Sequence, residues 1–176
     1  MAQNQPSSGI PVILSDTINI PKPGIITNGT NTSGVATTLT DAGQDFLNTT
    51  TNDNGYNISG GDIIVSAAGV ICEIASVDSA TQLTLLAPGI AAGTYDIYKG
   101  NYGTGAAGTI GKSGGFTLFV GTGGPGTTLK VRTIDGQDVT LNNVPDSSFI
   151  PVQVRRVFAT GTTCSNIIAL QQHGRF

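Results

Sequence analysis

Charge is what this sequence has least of. Only 11% of its 176 residues are Asp, Glu, Lys or Arg, less than half of the roughly 25% usual in a soluble domain. The surface must therefore be built from Thr, Ser, Asn, Gln and Gly. These residues favour strands, turns and loops: Gly and β-branched Thr lower helix propensity, while Ser and Asn compete for backbone hydrogen bonds. A helix bundle or coiled coil is excluded on that ground. Positive charge is scarcer still, since eight Lys and Arg stand against eleven Asp and Glu for a formal charge of −3. Arg155-Arg156 is the one adjacent basic pair. The basic stripe that a phosphate-backbone binder needs is missing, and no nucleic-acid partner is expected. No apolar run reaches the roughly eighteen residues of a membrane-spanning helix, so no membrane partner is expected either. The first residues carry neither a basic n-region nor a long apolar h-region, and no cleaved signal peptide is expected.

The residues of common catalytic sites are also few. His173 is the single histidine and lies in the polar tail QQHGRF, so a Ser-His-Asp or Cys-His pair would depend on a terminal residue. The carboxylates Asp41, Asp45, Asp62, Asp135 and Asp138 each sit in a turn or beside a glycine, where Asp shapes the backbone. No Cys or His spacing fits zinc and no acidic loop fits calcium. The expectation is no catalytic, metal or cofactor site. Cys72 and Cys164 each fall in an apolar run, as inert buried thiols do. Asn28, Asn31, Asn48 and Asn57 head Asn-x-Ser/Thr triplets, which this composition produces readily.

Two glycine-rich motifs imitate phosphate loops. AAGTIGKS at 106–113 has the loose form of a P-loop, and GTGGPG at 121–126 matches GxGxxG. A phosphate site requires a strand before the loop and a helix after it. Both runs lead into strand-like sequence instead, and GTGGPG reads as a wide β-turn.

What the chain does have is glycine, 25 residues of it, punctuating apolar runs of strand length. The expected fold is all-β: two small β-barrel-like or β-sandwich-like modules joined by a Gly-rich loop and preceded by an extended Pro-containing arm. The arm covers 1–34, the first module 35–100, the linker 101–115 and the second module 116–176. Strands are expected at GDIIVSA, VICEIASVD, TQLTLLA and GTYDIYKG in the first module, with a short helical turn at DAGQDFL (Asp41 to Leu47). The second module reads FTLFVG, TLKVRTIDG, DVTLNNV, FIPVQVRRVFATG and SNIIAL. Asp135-Gly136 supplies positive φ for a hairpin, and a bulge falls at Arg155-Arg156, where the apolar parity changes. In the arm, Pro6, Pro11, Pro21 and Pro23 favour extended chain. Its apolar residues must lie against something, either their own domain or a neighbouring subunit.

Two stretches carry a resemblance. LTDAGQDF, GGDIIVSAAG, ASVDSATQLTLLA and TYDIYKG together resemble a small β module of tailed-bacteriophage structural proteins. The stretch from FTLFVGTGG through VPDSSFIPVQVRRVFATGTT to NIIAL resembles a phage virion module of head decoration, spike-base and fibre-associated proteins. Together they cover residues 39–170; Cys164 and the longer tail depart from the pattern. The resemblance implies a non-enzymatic virion component with no active-site residues to carry over. The expected role is a capsid decoration (cement) protein on the particle surface, assembled in the host bacterial cytoplasm. Its expected partners are the major capsid protein or neighbouring virion proteins, and it is expected to form homo-oligomers, as trimers. The arm residues Pro6, Ile10, Val12, Ile13, Leu14, Ile18, Ile20, Pro21 and Pro23 are the expected subunit contacts, so deletion of residues 1–24 should abolish association and leave the fold. The alternative is a tail, spike-base or fibre-associated protein in host recognition, binding a glycan through Tyr98 and Tyr102.

Overall fold

The computed structural model describes residue 6 and residues 8–47, 57–100 and 115–171, which hold twelve strands and no helix. The chain divides into two units, residues 24–111 and residues 1–23 together with 112–176. Each contains one six-stranded sheet in which all neighbouring strands are antiparallel.

In the unit of residues 24–111 the strands are β2 (Ile25–Asn31), β3 (Thr38–Thr40), β4 (Ile63–Ser66), β5 (Ile71–Ser79), β6 (Gln82–Leu85) and β7 (Gly93–Tyr98). Their spatial order is β2-β7-β4-β5-β6-β3. Alternation decides what goes inside: Leu83 and Leu85 of β6, Tyr95 and Ile97 of β7 and Leu39 of β3 are buried and pack with Ile26, Phe46, Ile64 and Ile74. The ladder does not close into a barrel, but its two outer strands are tied together. Thr32 N–H donates to Thr40 O at 2.9 Å. Asn31, 1% exposed, accepts from Thr40 N–H at 3.3 Å and donates to Ile90 O at 3.0 Å. Asp41 accepts from Thr30 N–H at 2.6 Å, Tyr95 O–H at 2.8 Å and Gly43 N–H at 2.9 Å. Gly29 must be glycine, since a side chain there would collide with the Asp41 carboxylate and the Tyr95 hydroxyl.

The helical turn expected at Asp41 to Leu47 is not formed. The segment makes two tight turns instead. Asp41 spends its carboxylate on Thr30, Gly43 and Tyr95, and Phe46 N–H donates to Ala80 O at 2.7 Å. That bond sets the Phe46 ring, 1% exposed, in the core. Asp62, fully buried, is also structural: it accepts from Ser59 N–H at 2.9 Å, Gly100 N–H at 3.0 Å and Lys99 Nζ at 3.0 Å.

In the other unit the strands are β1 (Ser8–Pro11), β8 (Phe116–Thr122), β9 (Thr128–Thr133), β10 (Asp138–Asn142), β11 (Ser148–Val157) and β12 (Ser165–Gln171). Their order is β1-β12-β8-β11-β9-β10. Phe116, Leu118 and Val120 of β8, Leu129 and Val131 of β9, and Ile167 and Ala169 of β12 are buried. The expected bulge is present: β11 changes register between Ile150 and Val154 and again between Val154 and Arg156, passing from β8 to β9. The hairpin after β9 differs in detail. Thr133 N–H donates to Gln137 O at 2.9 Å, closing a loop of Ile134, Asp135 and Gly136, and only Gly136 has positive φ, at 90°. This is a three-residue hairpin with glycine in the left-handed position. GTGGPG forms a turn: Gly123 N–H donates to Asp146 Oδ1 at 2.6 Å, and Gly126 N–H donates to Asn143 Oδ1 at 2.8 Å.

The arm expected over residues 1–34 does not stand as one element. Ser8–Pro11 is the outer strand β1 on β12, the chain to Pro23 continues within the same unit, and Ile25–Asn31 is already a strand of the other. Val12 N–H donates to Ile167 O at 2.9 Å, Ser15 N–H to Val157 O at 3.1 Å and Ile20 N–H to Arg155 O at 2.8 Å. Ile10 and Ile20 are 8% and 4% exposed. The arm lies against its own domain. Deleting residues 1–24 therefore removes an outer strand and uncovers apolar core. Destabilisation of that unit, rather than the intact fold expected from the sequence, is the expected outcome, and circular dichroism of the deletion variant checks it.

Candidate functional site

The side chains that carry no weight in the core are the ones free to meet a partner. In β8 the inward parity belongs to Phe116, Leu118 and Val120, so Phe119 points outward. Its register partner on one side is Phe149 of β11 and on the other Ile168 of β12, which in turn lies opposite Pro11 of β1. Pro11, Ile168, Phe119 and Phe149 thus form one row across four adjacent strands. Phe149 is 62% exposed and Ile168 37%. The two phenylalanine rings lie 5.2 Å apart, tilted by 59°, within the centroid range of favourable aromatic pairs. The neighbouring row of Gly9, Leu170 and Thr117 is also uncharged. In a chain with 6% aromatic residues, two of them stand on one solvent-facing side of one sheet. An exposed apolar row of this kind is a candidate interaction surface, and covering a Phe contributes about 1.5–3 kcal/mol.

The arm is held by Arg156, which is 7% exposed. Its Nε donates to Asn19 Oδ1 at 3.0 Å and its Nη1 to Asp16 O at 2.9 Å. Asp16 accepts from Thr160 N–H at 2.9 Å and Thr160 O–H at 2.7 Å; the backbone bond, then the hydroxyl, holds its carboxyl below the usual value. Phe158 lies between cations, with Lys130 Nζ at 4.8 Å and the Arg132 guanidinium at 5.2 Å from its ring. Arg132 forks onto Asp138 at 2.6 and 2.8 Å.

The arm residues expected as subunit contacts are thus divided. Ile10, Ile20 and Pro21 are buried, Val12, Ile13, Leu14, Ile18 and Pro23 half-buried, and Pro6 exposed. Of the missed surface residues, Phe119 and Ile168 had a signal, since in FTLFV and NIIAL strict alternation turns them outward, whereas Phe149 had none. Of the remaining candidates, Tyr98 is half-buried in β7, its phenol raised by burial and then by Asp96. Tyr102, His173 and the P-loop-like 106–113 lie outside the described residues. Cys72 and Cys164 are free, buried thiols, and burial raises that of Cys72. Among the described residues no cluster of His, Cys, Asp and Glu is placed to hold a metal.

Comparison of the chain with models of known families, with curated proteins and with solved structures gave no match.

Proposed function

We propose that this chain is a non-enzymatic structural component of a tailed-bacteriophage virion, a capsid decoration protein that binds and stabilises the mature head. The observation that carries the reading is the uncharged row of Pro11, Ile168, Phe119 and Phe149 on the outward side of a sheet. It is joined by the resemblance of residues 39–170 to phage virion modules. A surface poor in charge suits close packing against repeated neighbours, because a charge buried there without a partner is costly. A protein that binds only the mature arrangement of capsid subunits, the major capsid protein or its neighbours, shifts the shell toward that state by mass action. Weak contacts are multiplied when many copies dock on one lattice.

The experiment is a quantitative gel of purified particles. Copies in stoichiometric ratio to the major capsid protein are expected. A handful of copies per particle would instead fit the tail or spike-base reading, and absence from the particle would overturn the virion role.

A further inference from the structure

An outer strand of a sheet offers its unpaired N–H and C=O groups to any other strand, and proteins usually blunt such edges. In the unit of residues 24–111, β2 and β3 are tied to each other through Asn31, Thr32 and Asp41. In the other unit, β1 is blunted. The bond from Val12 N–H to Ile167 O fixes the alternation, so Gly9 and Pro11 face away from β12, and Pro11 has no N–H to offer.

The β10 edge has no such device. Thr133 N–H donates to Gln137 O and Asn143 N–H to Thr127 O, at 2.9 and 2.8 Å. With the β9–β10 register, this gives the backbone bonds to Val139 and Leu141 and turns the N–H and C=O of Asp138, Thr140 and Asn142 outward. All three residues are exposed, and these backbone groups have no partner among the described residues.

We propose that β10 pairs antiparallel with β10 of a second copy of this chain, joining the two sheets across a twofold axis at Thr140. The strand is self-complementary. Asp138 meets Asn142 of the second copy, Thr140 meets its own equivalent, and half-buried Val139 and Leu141 meet each other on the core side. Threonine pairs and apolar pairs of this kind stabilise neighbouring strands. A parallel arrangement would set Asp138 against Asp138, whereas in the antiparallel one each Asp138 is already neutralised by its own Arg132. The contact is isologous. It is independent of the virion reading and differs in symmetry from the trimer that the resemblance implies.

The test is the mass of the full chain by sedimentation velocity over a concentration series. The wild-type protein is expected to dimerise. Thr140→Pro removes an N–H that the chain's own sheet does not use, so the fold is expected to persist while the dimer dissociation constant rises by at least roughly tenfold. Thr140→Lys, which brings two cations together at the axis, is expected to give the same loss and serves if proline disturbs the strand. Amide exchange at Asp138, Thr140 and Asn142 should slow as the wild-type dimer forms. A chain that remains monomeric, a trimer, or a dimer that survives both substitutions would overturn the proposal.

Discussion

Replacing Arg156 by alanine is expected to destabilise the unit formed by residues 1–23 and 112–176 by on the order of 3 kcal/mol. In the sequence, Arg155-Arg156 interrupts an apolar run and forces the bulge in β11. The bulge turns Arg156 inward, and burial, then the nearby Arg132 and Arg155 cations, depress its guanidinium. Arginine stays charged even so, and its fork compensates the desolvation by donating to Asn19 Oδ1 and Asp16 O. Hydrogen bonds to a charged group contribute about 1.5–3 kcal/mol each. Alanine removes both and leaves a void beneath residues 16–19. The denaturation midpoint in urea should fall, and protease should cut between Val12 and Pro23 before the unit as a whole unfolds. Arg156→Lys should recover only part of the loss, because an ammonium lacks the planar fork. An unchanged midpoint in the alanine variant would show that the arm is held by β1 and Ile20 alone.

Asp41→Ala is expected to cost the unit of residues 24–111 about 3 kcal/mol, since it leaves three donors, Thr30 N–H, Gly43 N–H and Tyr95 O–H, without their acceptor. The effect is more than local, because Asp41 and Asn31 are what tie the first strand of that sheet to the last. A pH signature accompanies it. Burial, and after it the bond to Asp41, raises the Tyr95 phenol well above its ordinary value of 10. A group raised on folding contributes stability that is present below its unfolded value and lost as pH rises through the folded one. Stability should therefore decline above pH 10, with Tyr95 ionising only as the unit opens. In Asp41→Asn the carboxylate's share of the elevation is gone, and phenolate absorbance should develop at lower pH than in the wild type. Identical titration curves would contradict the pairing.

The strands expected from the sequence in both modules are present, because apolar alternation between turn residues is a local property. TQLTLLA becomes β6 with Leu83 and Leu85 inside, and FTLFVG becomes β8 with Phe116, Leu118 and Val120 inside. The strands overlooked failed for local reasons. β2 lies within the stretch expected to be an extended arm, and the purpose of Gly29 becomes visible only when Asp41 and Tyr95 occupy the space beside it. β1 and β3 span only four and three residues. That Ser8–Pro11 pairs with the chain's far end was illegible, since no local pattern encodes a contact across most of the sequence. The apolar row was half legible. Parity in FTLFV and NIIAL exposes Phe119 and Ile168, but only the sheet order sets Phe149 and Pro11 beside them.

On the proposed function, this row docks the chain on the virion surface. The deciding experiment measures the occupancy of purified particles lacking the protein after incubation with the wild-type chain or with Phe149→Asp. Phe149 is 62% exposed, so the substitution should leave the circular dichroism and denaturation midpoint unchanged. Saturable, stoichiometric binding of the wild type is expected, with loss of most of the bound copies in the variant, because each site of a repeated lattice is weakened at once. Wild-type chain that does not bind, or a folded Phe149→Asp that binds equally well, would contradict it.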